Sequence, residues 1–399
     1  MSQGIYISIP FCRSKCTYCN FASGVFSATQ MGRYVERLCA DIAASRANAQ
    51  NHGALVPDSV DSIYLGGGTP SLLPPAELTR LFDVIANQFI IAAGAEVTVE
   101  CAPGTLTQPI LETLVSCGVN RVSLGVQSFV DKEAASVARL HTSETILGDI
   151  GRLRAVGITN INVDLIAGLP HQTAESWAYS LEQAQKTAVP HLSVYMLEVD
   201  EDSRLGRELI GGGTRYHAHF VPDDDRTAEF YEAACSQLQE SGIPQYEISN
   251  FSRPGLESRH NVKYWTRLPY LGFGVDAHSM LPAGDVLKAH GVESVRLATT
   301  DSFEDFFVSP QVTAVAVTYE DALEEDFFLG LRLNRGVKLD QLFIQFDKQV
   351  PEYLPIIEEL VSDGLLSRTD GTVRLTSRGR LLSNEVFQRF IKKEEIVNL

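Results

Sequence analysis

The chain carries a short β-branched run that leads directly into three closely spaced cysteines, with the sequence IYISIPFCRSKCTYC at residues 5–19. The run Ile5–Ile9 is typical of a strand. Cys12, Cys16 and Cys19 follow in the loop after that strand. A loop of this kind occurs in different folds, so the strands that come after it decide the architecture.

Five further runs of the same type alternate with helical patterns. The predicted strands are Ile5–Ile9, Val60–Leu65, Glu96–Glu100, Asn120–Val126, Asn160–Ile166 and His191–Leu197. The predicted helices between them are Met31–Ala47, Pro75–Gln88, Pro109–Cys117, Glu144–Val156 and Ala174–Thr187. Such alternation predicts βαβ units and a parallel sheet, hence the α/β class. We expect a partial (β/α)6 barrel, with an open doubly wound sheet as the alternative.

The strand–helix alternation ends near residue 252, which divides the chain into three predicted parts. Residues 1–250 form the partial barrel, residues 251–318 a loop-rich extension, and residues 319–399 a small, mainly helical, winged-helix-like domain. Its hairpin is predicted at Leu365–Leu375, around Asp370-Gly371. Because this last part has more acidic than basic side chains, we expect packing or partner contact there rather than DNA binding.

The composition of the chain indicates which classes of binding partner and which cellular location to expect. The chain has 399 residues, 44% of them hydrophobic, which is enough for a sizeable core. Its 33 Lys and Arg against 50 Asp and Glu give a net charge of −17, so no nucleic-acid partner is expected. No apolar run approaches the ~18 residues of a membrane span, and the N-terminus lacks a signal-peptide pattern. The expected location is therefore the cytoplasm.

The three cysteines are spaced so that their thiolates can all point inward from one tight loop. A cubane cluster has four irons, so three cysteine ligands leave one iron without a protein ligand. An open iron can chelate a small molecule through an amine and a carboxylate, both of which S-adenosylmethionine offers. Electron transfer would then break the sulfonium C–S bond and yield a 5′-deoxyadenosyl radical. Cys12, Cys16 and Cys19 are therefore the predicted ligands of a [4Fe-4S] cluster.

Two simpler interpretations of the cysteine loop stay open, namely a structural zinc site and buried free thiols. Structural zinc takes four ligands, usually from two paired motifs, and the sequence has no second pair. A disulfide framework needs an even number of cysteines, whereas this chain has seven. The other four are scattered and are expected to be ordinary buried residues: Cys39, Cys101, Cys117 and Cys235.

Glycines and polar side chains follow the later predicted strands. The stretch Gly66-Gly67-Gly68-Thr69-Pro70 fits no phosphate-binding pattern, and it leaves a strand end bare so that a ligand can lie against backbone. A tight turn is the alternative. Further polar residues stand at or just after later strand ends: Glu100, Gln127 with Ser128, Arg139 and Asp164. Because the strand ends of a barrel converge on one mouth, these side chains are predicted to share one site.

The cysteine loop resembles the signature of the radical SAM superfamily. The wider set of residues resembles the oxygen-independent coproporphyrinogen III oxidase family over roughly residues 4–270. That resemblance implies a cluster-bound S-adenosylmethionine in contact with Tyr6, Gly67 and Glu100. It places Tyr18 of the cysteine loop among the cofactor-binding residues. It also implies a second S-adenosylmethionine site. The residues implied for the second site are Gly68, Thr69, Gln127, Arg139 and Asp164.

Two features separate the chain from the oxidases themselves. The oxidases have a fourth cysteine two positions after the third, where this sequence has Phe21, and an N-terminal extension for which Cys12 leaves no room. The stretch HNVKYW at residues 260–265 instead matches the HNxxYW pattern of a sister group, the HemW-type heme chaperones, and Asn20-Phe21 suits that group too. Histidine is a natural axial ligand of heme iron, so His260 is predicted to bind heme. A histidine anchored beside two aromatic residues is the alternative.

The resemblance to the heme chaperones implies a protein that binds heme, a [4Fe-4S] cluster and S-adenosylmethionine and delivers heme to acceptor proteins, including respiratory ones. An electron donor such as flavodoxin or ferredoxin is a further implied partner. The alternative function is oxidative decarboxylation of coproporphyrinogen III. A radical enzyme with an unrelated substrate also stays open, so the sequence leaves undecided whether the chain is an enzyme.

Overall fold

The computed structural model describes residues 2–308, 312–346 and 349–392. Within these residues it contains fifteen strands. They are β1 Ser2–Ile9, β2 Ser59–Gly67, β3 Ile90–Cys101, β4 Arg121–Gln127, β5 Asn160–Ala167, β6 His191–Met196, β7 Gln245–Glu247, β8 Asn250–Ser252, β9 Tyr270–Phe273, β10 His278–Pro282, β11 Val292–Ala298, β12 Thr313–Thr318, β13 Val337–Lys338, β14 Leu366–Thr369 and β15 Thr372–Leu375.

The same residues contain seventeen α-helices. They are α1 Ala28–Ala43, α2 Ser45–Asn51, α3 Pro75–Gln88, α4 Gln108–Ser116, α5 Asp131–Ser136, α6 Ser143–Ala155, α7 Ala174–Lys186, α8 Arg204–Gly211, α9 Asp224–Glu240, α10 Arg259–Trp265, α11 Asp285–Lys288, α12 Asp305–Val308, α13 Tyr319–Gly330, α14 Leu339–Phe346, α15 Leu354–Ser362, α16 Ser377–Leu381 and α17 Ser383–Gln388. The predicted helix Met31–Ala47 is thus two helices, because the chain leaves α1 at Ala44.

Six parallel strands form the centre of the molecule. Strands β1 to β6 lie side by side in chain order within a 12-stranded sheet, β12-β11-β10-β9-β1-β2-β3-β4-β5-β6-β8-β7. A doubly wound sheet reverses its strand order at a switch point, and β1 to β6 show no reversal. The α/β class and the partial (β/α)6 barrel are therefore confirmed. Each of the six predicted strands is present, although β3 begins at Ile90 rather than at Glu96.

The central strands are apolar on one face and polar on the other. Ile5, Ile7 and Ile9 of β1 join a large hydrophobic core with residues of the surrounding helices. The alternate residues of β1 to β6 face into the barrel, as the period of two in a strand requires, and apart from residues such as Ile166 they are polar or glycine. The strand registers align them in rows, one of which is Tyr6–Tyr64–Thr98–Arg121–Asn160. The inner surface of the barrel is thus largely polar.

The segment 251–318, predicted as a loop-rich extension, contains more regular structure than its sequence indicates. Strand β9 pairs in parallel with β1, and β10, β11 and β12 continue the same sheet in antiparallel pairing. Helix α10 precedes β9 and carries the HNxxYW stretch. These strands are short and separated by turns, so their alternation is hard to read in the sequence. The sequence did not indicate these strands, which extend the barrel sheet; the limits of the loop-rich segment stay a prediction.

A second hydrophobic core lies in the C-terminal part of the chain, around Phe327, Tyr353 and Phe390. Helices α13 to α15 accompany a three-stranded sheet in the order β13-β15-β14. The hairpin between β14 and β15 turns at Asp370 and Gly371, whose φ angles are 49° and 71°, as in a type I′ turn. The predicted hairpin and the winged-helix-like character are confirmed, while the exact domain limits stay predictions. None of the described helices is long and apolar enough to cross a membrane.

Candidate functional site

The cysteine loop begins where β1 ends and is closed at its base by backbone hydrogen bonds. The Cys12 N–H donates to the Gly24 carbonyl at 2.8 Å, and the Gly24 N–H donates to the Pro10 carbonyl at 2.9 Å. The Cys19 N–H donates to the Cys16 carbonyl at 3.3 Å, which folds these two cysteines into one turn. The loop therefore presents all three cysteines from one short, closed segment.

The thiols of Cys12, Cys16 and Cys19 are half-buried and line one cavity of about 750 Å³. Across residues 2–308, 312–346 and 349–392, no three His, Cys, Asp or Glu side chains are arranged to hold a metal ion. A closed zinc site needs four ligands that converge on one atom. In a cubane cluster each cysteine binds a different iron, so the three sulfurs need not converge in that way. The donor set and the adjoining cavity fit an iron–sulfur cluster better than zinc.

The glycine-rich end of β2 packs directly against the start of the cysteine loop. The Gly68 N–H donates to the Ile9 carbonyl at 2.8 Å, and the Thr69 N–H donates to the Phe11 carbonyl at 2.7 Å. A Cβ at residue 68 would lie 2.8 Å from both of those carbonyl oxygens, and Gly67 has a φ of 98°. Both glycines are therefore required by the backbone. Because they also line the cavity, they bring bare backbone to the same wall as the cysteines.

Glu100 lies near the end of β3 on the same wall of the cavity. Its carboxylate accepts a hydrogen bond from the Tyr64 hydroxyl at 2.7 Å and one from the Gly67 N–H at 3.2 Å. Burial raises the pKa of Glu100 to about 7, although the Tyr64 hydrogen bond opposes the shift. At neutral pH the side chain can therefore accept or release a proton with little free-energy cost.

Gln127, Arg139 and Tyr18 meet beside Gly125. The Arg139 guanidinium donates from Nη2 to the Tyr18 hydroxyl at 3.3 Å. A Cβ at residue 125 would lie 3.1 Å from Gln127 Nε2 and 3.3 Å from Arg139 Nη2, so these two side chains cover that glycine. Arg139 Nε is buried and has no hydrogen-bond partner among the described residues. The group thus combines a phenol, an amide and a partly unpaired cation at the cavity wall.

Asp164 of β5 is tied into a buried network of polar side chains. Its carboxylate accepts hydrogen bonds from the Ser123 hydroxyl at 3.0 Å and from Asn162 Nδ2 at 2.7 Å. Asn162 Nδ2 also donates to Ser193, and its Oδ1 contacts His191 Nδ1 at 2.6 Å. Burial raises the pKa of Asp164, and its hydrogen bonds oppose the shift. Asp164 therefore faces the cavity with its hydrogen-bonding capacity already partly used.

Eleven of the thirteen residues assigned above to the cluster, S-adenosylmethionine or heme line this one cavity, whereas Ser128 does not and donates to Glu133 instead. The eleven are Cys12, Cys16, Tyr18, Cys19, Gly67, Gly68, Thr69, Glu100, Gln127, Arg139 and Asp164. Tyr6 does not line it, although its hydroxyl lies 3.4 Å from the place of a Cβ on Gly67 and its ring stacks on that of Tyr64, with 6.2 Å between centroids. Burial raises the pKa of the Tyr6 hydroxyl. Tyr6 thus lies behind the glycine edge.

His260 lies near the base of the barrel and does not line the cavity, although its ring centroid is 5.3 Å from that of Tyr64, which does. Its Nδ1 is 3.0 Å from the Ser62 hydroxyl and its Nε2 is 2.8 Å from the Tyr264 hydroxyl. A Cβ on Gly4 would be 3.0 Å from the ring, whereas the cysteine loop follows Ile9, about 17 Å further along β1. Burial, helped by the Lys263 charge, lowers the pKa of His260 to about 3. Both ring nitrogens are therefore engaged within the protein, and the heme-ligand role of His260 stays a prediction.

Several cavity residues were missed by the sequence reasoning, notably Tyr64, Arg121 and Asn162. None of them lies at the carboxyl end of its strand, where the predicted site residues were placed. The signal was available in part, since an arginine such as Arg121 at the start of a buried strand is unusual in a core. Strand-end reasoning alone finds the rim of the barrel and overlooks its interior.

The radical SAM superfamily model matches residues 6–184, and the model of the HemN C-terminal domain matches residues 317–382. The heme chaperone HemW of Bacillus subtilis (strain 168) is 33% identical over 395 residues, which are 98% of this chain and 99% of that protein. The heme chaperone HemW of Lactococcus lactis is 31% identical over 97% of this chain and 96% of that protein.

Among solved structures, the coproporphyrinogen III oxidase HemN from Escherichia coli, a radical SAM enzyme, superimposes with a TM-score of 0.81. The match covers 98% of this chain and 90% of that one at 24% identity, and it supports the fold described above. The sequence similarity to curated relatives extends over nearly the full length of both chains. The chain therefore belongs to the HemW family of the radical SAM superfamily.

Proposed function

We propose that the chain is a heme chaperone, which binds heme, a [4Fe-4S] cluster and S-adenosylmethionine and delivers heme to acceptor proteins. The observation that carries the proposal is the nearly full-length similarity to proteins named heme chaperone HemW. Respiratory heme proteins are the proposed acceptors, and a flavodoxin or ferredoxin is the proposed electron donor.

Cys12, Cys16 and Cys19 are the proposed cluster ligands. They are free, half-buried and presented by one closed loop beside a cavity large enough for a small-molecule cofactor. A cluster held there would supply the electron for reductive cleavage of S-adenosylmethionine. The protein's own part is to keep the thiols in one segment and to shield them partly from water.

The cavity wall offers complementary groups for S-adenosylmethionine. Glu100, fixed by Tyr64 and by the Gly67 N–H, can accept hydrogen bonds from an ammonium or hydroxyl group. Arg139 is steadied by Tyr18 and has N–H groups left over for a carboxylate. We assign Tyr6, Gly67 and Glu100 to the cluster-bound cofactor. For a second S-adenosylmethionine molecule we assign Gly68, Thr69, Gln127, Arg139 and Asp164.

The heme site is less defined than the cluster site. Ligation of heme iron by His260 requires the ring to leave at least one of its two partners, Ser62 or Tyr264. It also requires the ring to become accessible, since His260 is 1% exposed. We therefore keep His260 as a proposed ligand whose role depends on movement of α10.

The proposal is tested on one anaerobic preparation after reconstitution with iron and sulfide. We expect cluster absorbance, a Soret shift on heme titration, and transfer of that heme to the apo form of a respiratory heme protein. A parallel incubation with coproporphyrinogen III, S-adenosylmethionine and reductant is expected to give no vinyl product. Absence of heme binding would overturn the proposal, and formation of the vinyl product would replace it with the oxidase function.

A further inference from the structure

Arg121 is a buried arginine inside the barrel that the roles assigned above do not use. It is the first residue of β4 and is 1% exposed, yet it lines the cavity. Its Nε has no hydrogen-bond partner, and its guanidinium forms no hydrogen bond or ion pair with any residue of the described ranges. Arginine keeps its charge in proteins, and a buried charge without a partner is costly. Such a side chain needs an explanation.

Burial raises the pKa of both Glu100 and Asp164, and the charge of Arg121 opposes that rise, so these carboxylates lie within its electrostatic reach, but neither accepts a hydrogen bond from it. Thr98 and Asn160 flank Arg121 in the strand register, and the side-chain oxygen of each is buried without a hydrogen-bond partner in the described structure. The carboxylates of Glu100 and Asp164 also line the cavity. Both take their hydrogen bonds from other groups: Tyr64 and Gly67 for Glu100, Ser123 and Asn162 for Asp164. The five N–H donors of Arg121 are thus left for something that enters the cavity.

Arg121 lies at the opposite end of β4 from the cysteine loop. Gln127, at the other end of β4, lies beside Arg139 near that loop, about 20 Å from Arg121 along the strand. Arg139, the proposed partner for the carboxylate of S-adenosylmethionine, lies at that outer end, where it contacts Tyr18 of the cysteine loop. Arg121 is therefore placed for a different anion, in the inner half of the cavity.

We propose that Arg121 binds a carboxylate of an organic acid that enters the inner half of the barrel cavity. The guanidinium fork matches a carboxylate in geometry, and the bond is strong where water is excluded. The negative charge nearby is reduced, because burial raises the pKa of Glu100 to about 7. The inference rests on the proposed function, since heme carries two propionate carboxylates and is the acid to test.

The test compares heme with heme dimethyl ester, in which both carboxylates are blocked. The wild-type protein is expected to bind heme at least about tenfold more tightly than the ester, and Arg121→Met is expected to remove most of that difference. Arg368→Gln, at an exposed arginine paired with Glu358, is the control for loss of one positive charge. Equal binding of heme and ester by wild type, or an unchanged preference in Arg121→Met, would overturn the inference but leave heme binding intact. Failure of both probes to bind would instead overturn the proposed function.

Two further measurements distinguish binding from a structural role. If Arg121 held the fold together, its replacement would lower the stability of the protein. Because it is a buried charge without a hydrogen bond to the described residues, we instead expect the ligand-free Arg121→Met protein to have a higher thermal midpoint than wild type. A lower midpoint together with an unchanged heme preference contradicts the proposal. Affinity for S-adenosylmethionine is expected to be the same in both proteins, and a parallel loss there would assign Arg121 to that cofactor instead.

Discussion

The two ends of the barrel contain similar polar residues that behave in opposite ways. At the cysteine-loop end, Glu100 and Arg139 face the cavity, and Arg139 has a buried nitrogen without a partner in the described structure. At the base, His260 uses both ring nitrogens within the protein, and Lys263 pairs with Asp61 at 2.7 Å. The backbone N–H of His260 is also satisfied, by Glu96 at 3.1 Å. The cysteine-loop end keeps bonding capacity free, whereas His260 and Lys263 of α10 have used theirs.

This difference separates groups that can bind a ligand from groups that hold the fold. A buried polar side chain whose donors and acceptors are all matched stabilises the structure, and removing its partner is costly. A buried polar side chain with unmatched groups beside a cavity is available to a ligand. By this criterion the groups at the cysteine-loop end, and Arg121 in the inner half of the cavity, are available to a ligand, whereas His260 and Lys263 of α10 hold the fold at the base.

The largest expected effect is at the cysteine loop. Cys12→Ser is expected to abolish formation of a cluster, because a cubane held by three cysteines loses one of its only protein ligands. The measurement is iron and sulfide content with the visible spectrum after anaerobic reconstitution. Cys39→Ser, at a buried cysteine of α1, is the matched control and should reconstitute as wild type does. Normal cluster content in Cys12→Ser would mean that Cys12 is not a cluster ligand, and the cysteine-loop end would then lose its proposed role.

Most of the fold could be predicted from the sequence, since each central strand carries a compact β-branched run. The carboxyl ends of β1, at Ile9, and of β2, at Gly67, are predicted within two residues, because proline or glycine stands directly beyond them. The segment that contains β9 to β12 was missed, because strands as short as Tyr270–Phe273 give too few residues for an alternation to be seen.

The candidate site was predictable at its rim and not in its interior. Residues at strand ends, such as Glu100 and Gln127, share an edge by the geometry of parallel strands, so their meeting follows from the topology. Whether an interior residue such as Arg121 or His260 has partners depends on registers between strands distant in sequence. Ser62, which contacts His260, is 198 residues away from it. No local pattern contains that information.

The second prediction concerns the base of the barrel. His260→Ala is expected to lower the free energy of unfolding by about 3–4 kcal/mol, because it leaves a cavity and two unpartnered hydroxyls at Ser62 and Tyr264. Denaturant unfolding checks this, with His290→Ala, at an exposed histidine, as the control. Heme affinity of the folded fraction is measured in the same samples. A stable variant that has lost its Soret shift would make His260 a heme ligand and break the contrast between the two ends.

The smallest effect expected is the pH dependence that Glu100 gives to the ligand-free protein. Burial raises its pKa from 4.5 to about 7, so the folded state favours the protonated form. The resulting stabilisation is present in full below pH 4.5 and is lost as the pH rises through 7, a change of about 3 kcal/mol or less. His260, at the base of the barrel, gives the folding stability the opposite pH dependence. Its pKa is lowered to about 3 in the folded state, so the protein gains stability as the pH rises toward 6.5.

Glu100→Gln isolates the cavity end from this pair of opposing effects. The free energy of unfolding of the variant minus that of wild type should increase as the pH is raised from 5 to 8, because only wild type loses stability when Glu100 ionises. Denaturant unfolding at pH 5, 6, 7 and 8 measures that difference, and Glu182→Gln, at an exposed glutamate paired with Lys186, should show none. A difference that stays constant over this range would mean that Glu100 is ionised in the folded state throughout. The cavity end would then be an open, hydrated surface, and the contrast with the sealed base would be larger than the burial of Glu100 indicates.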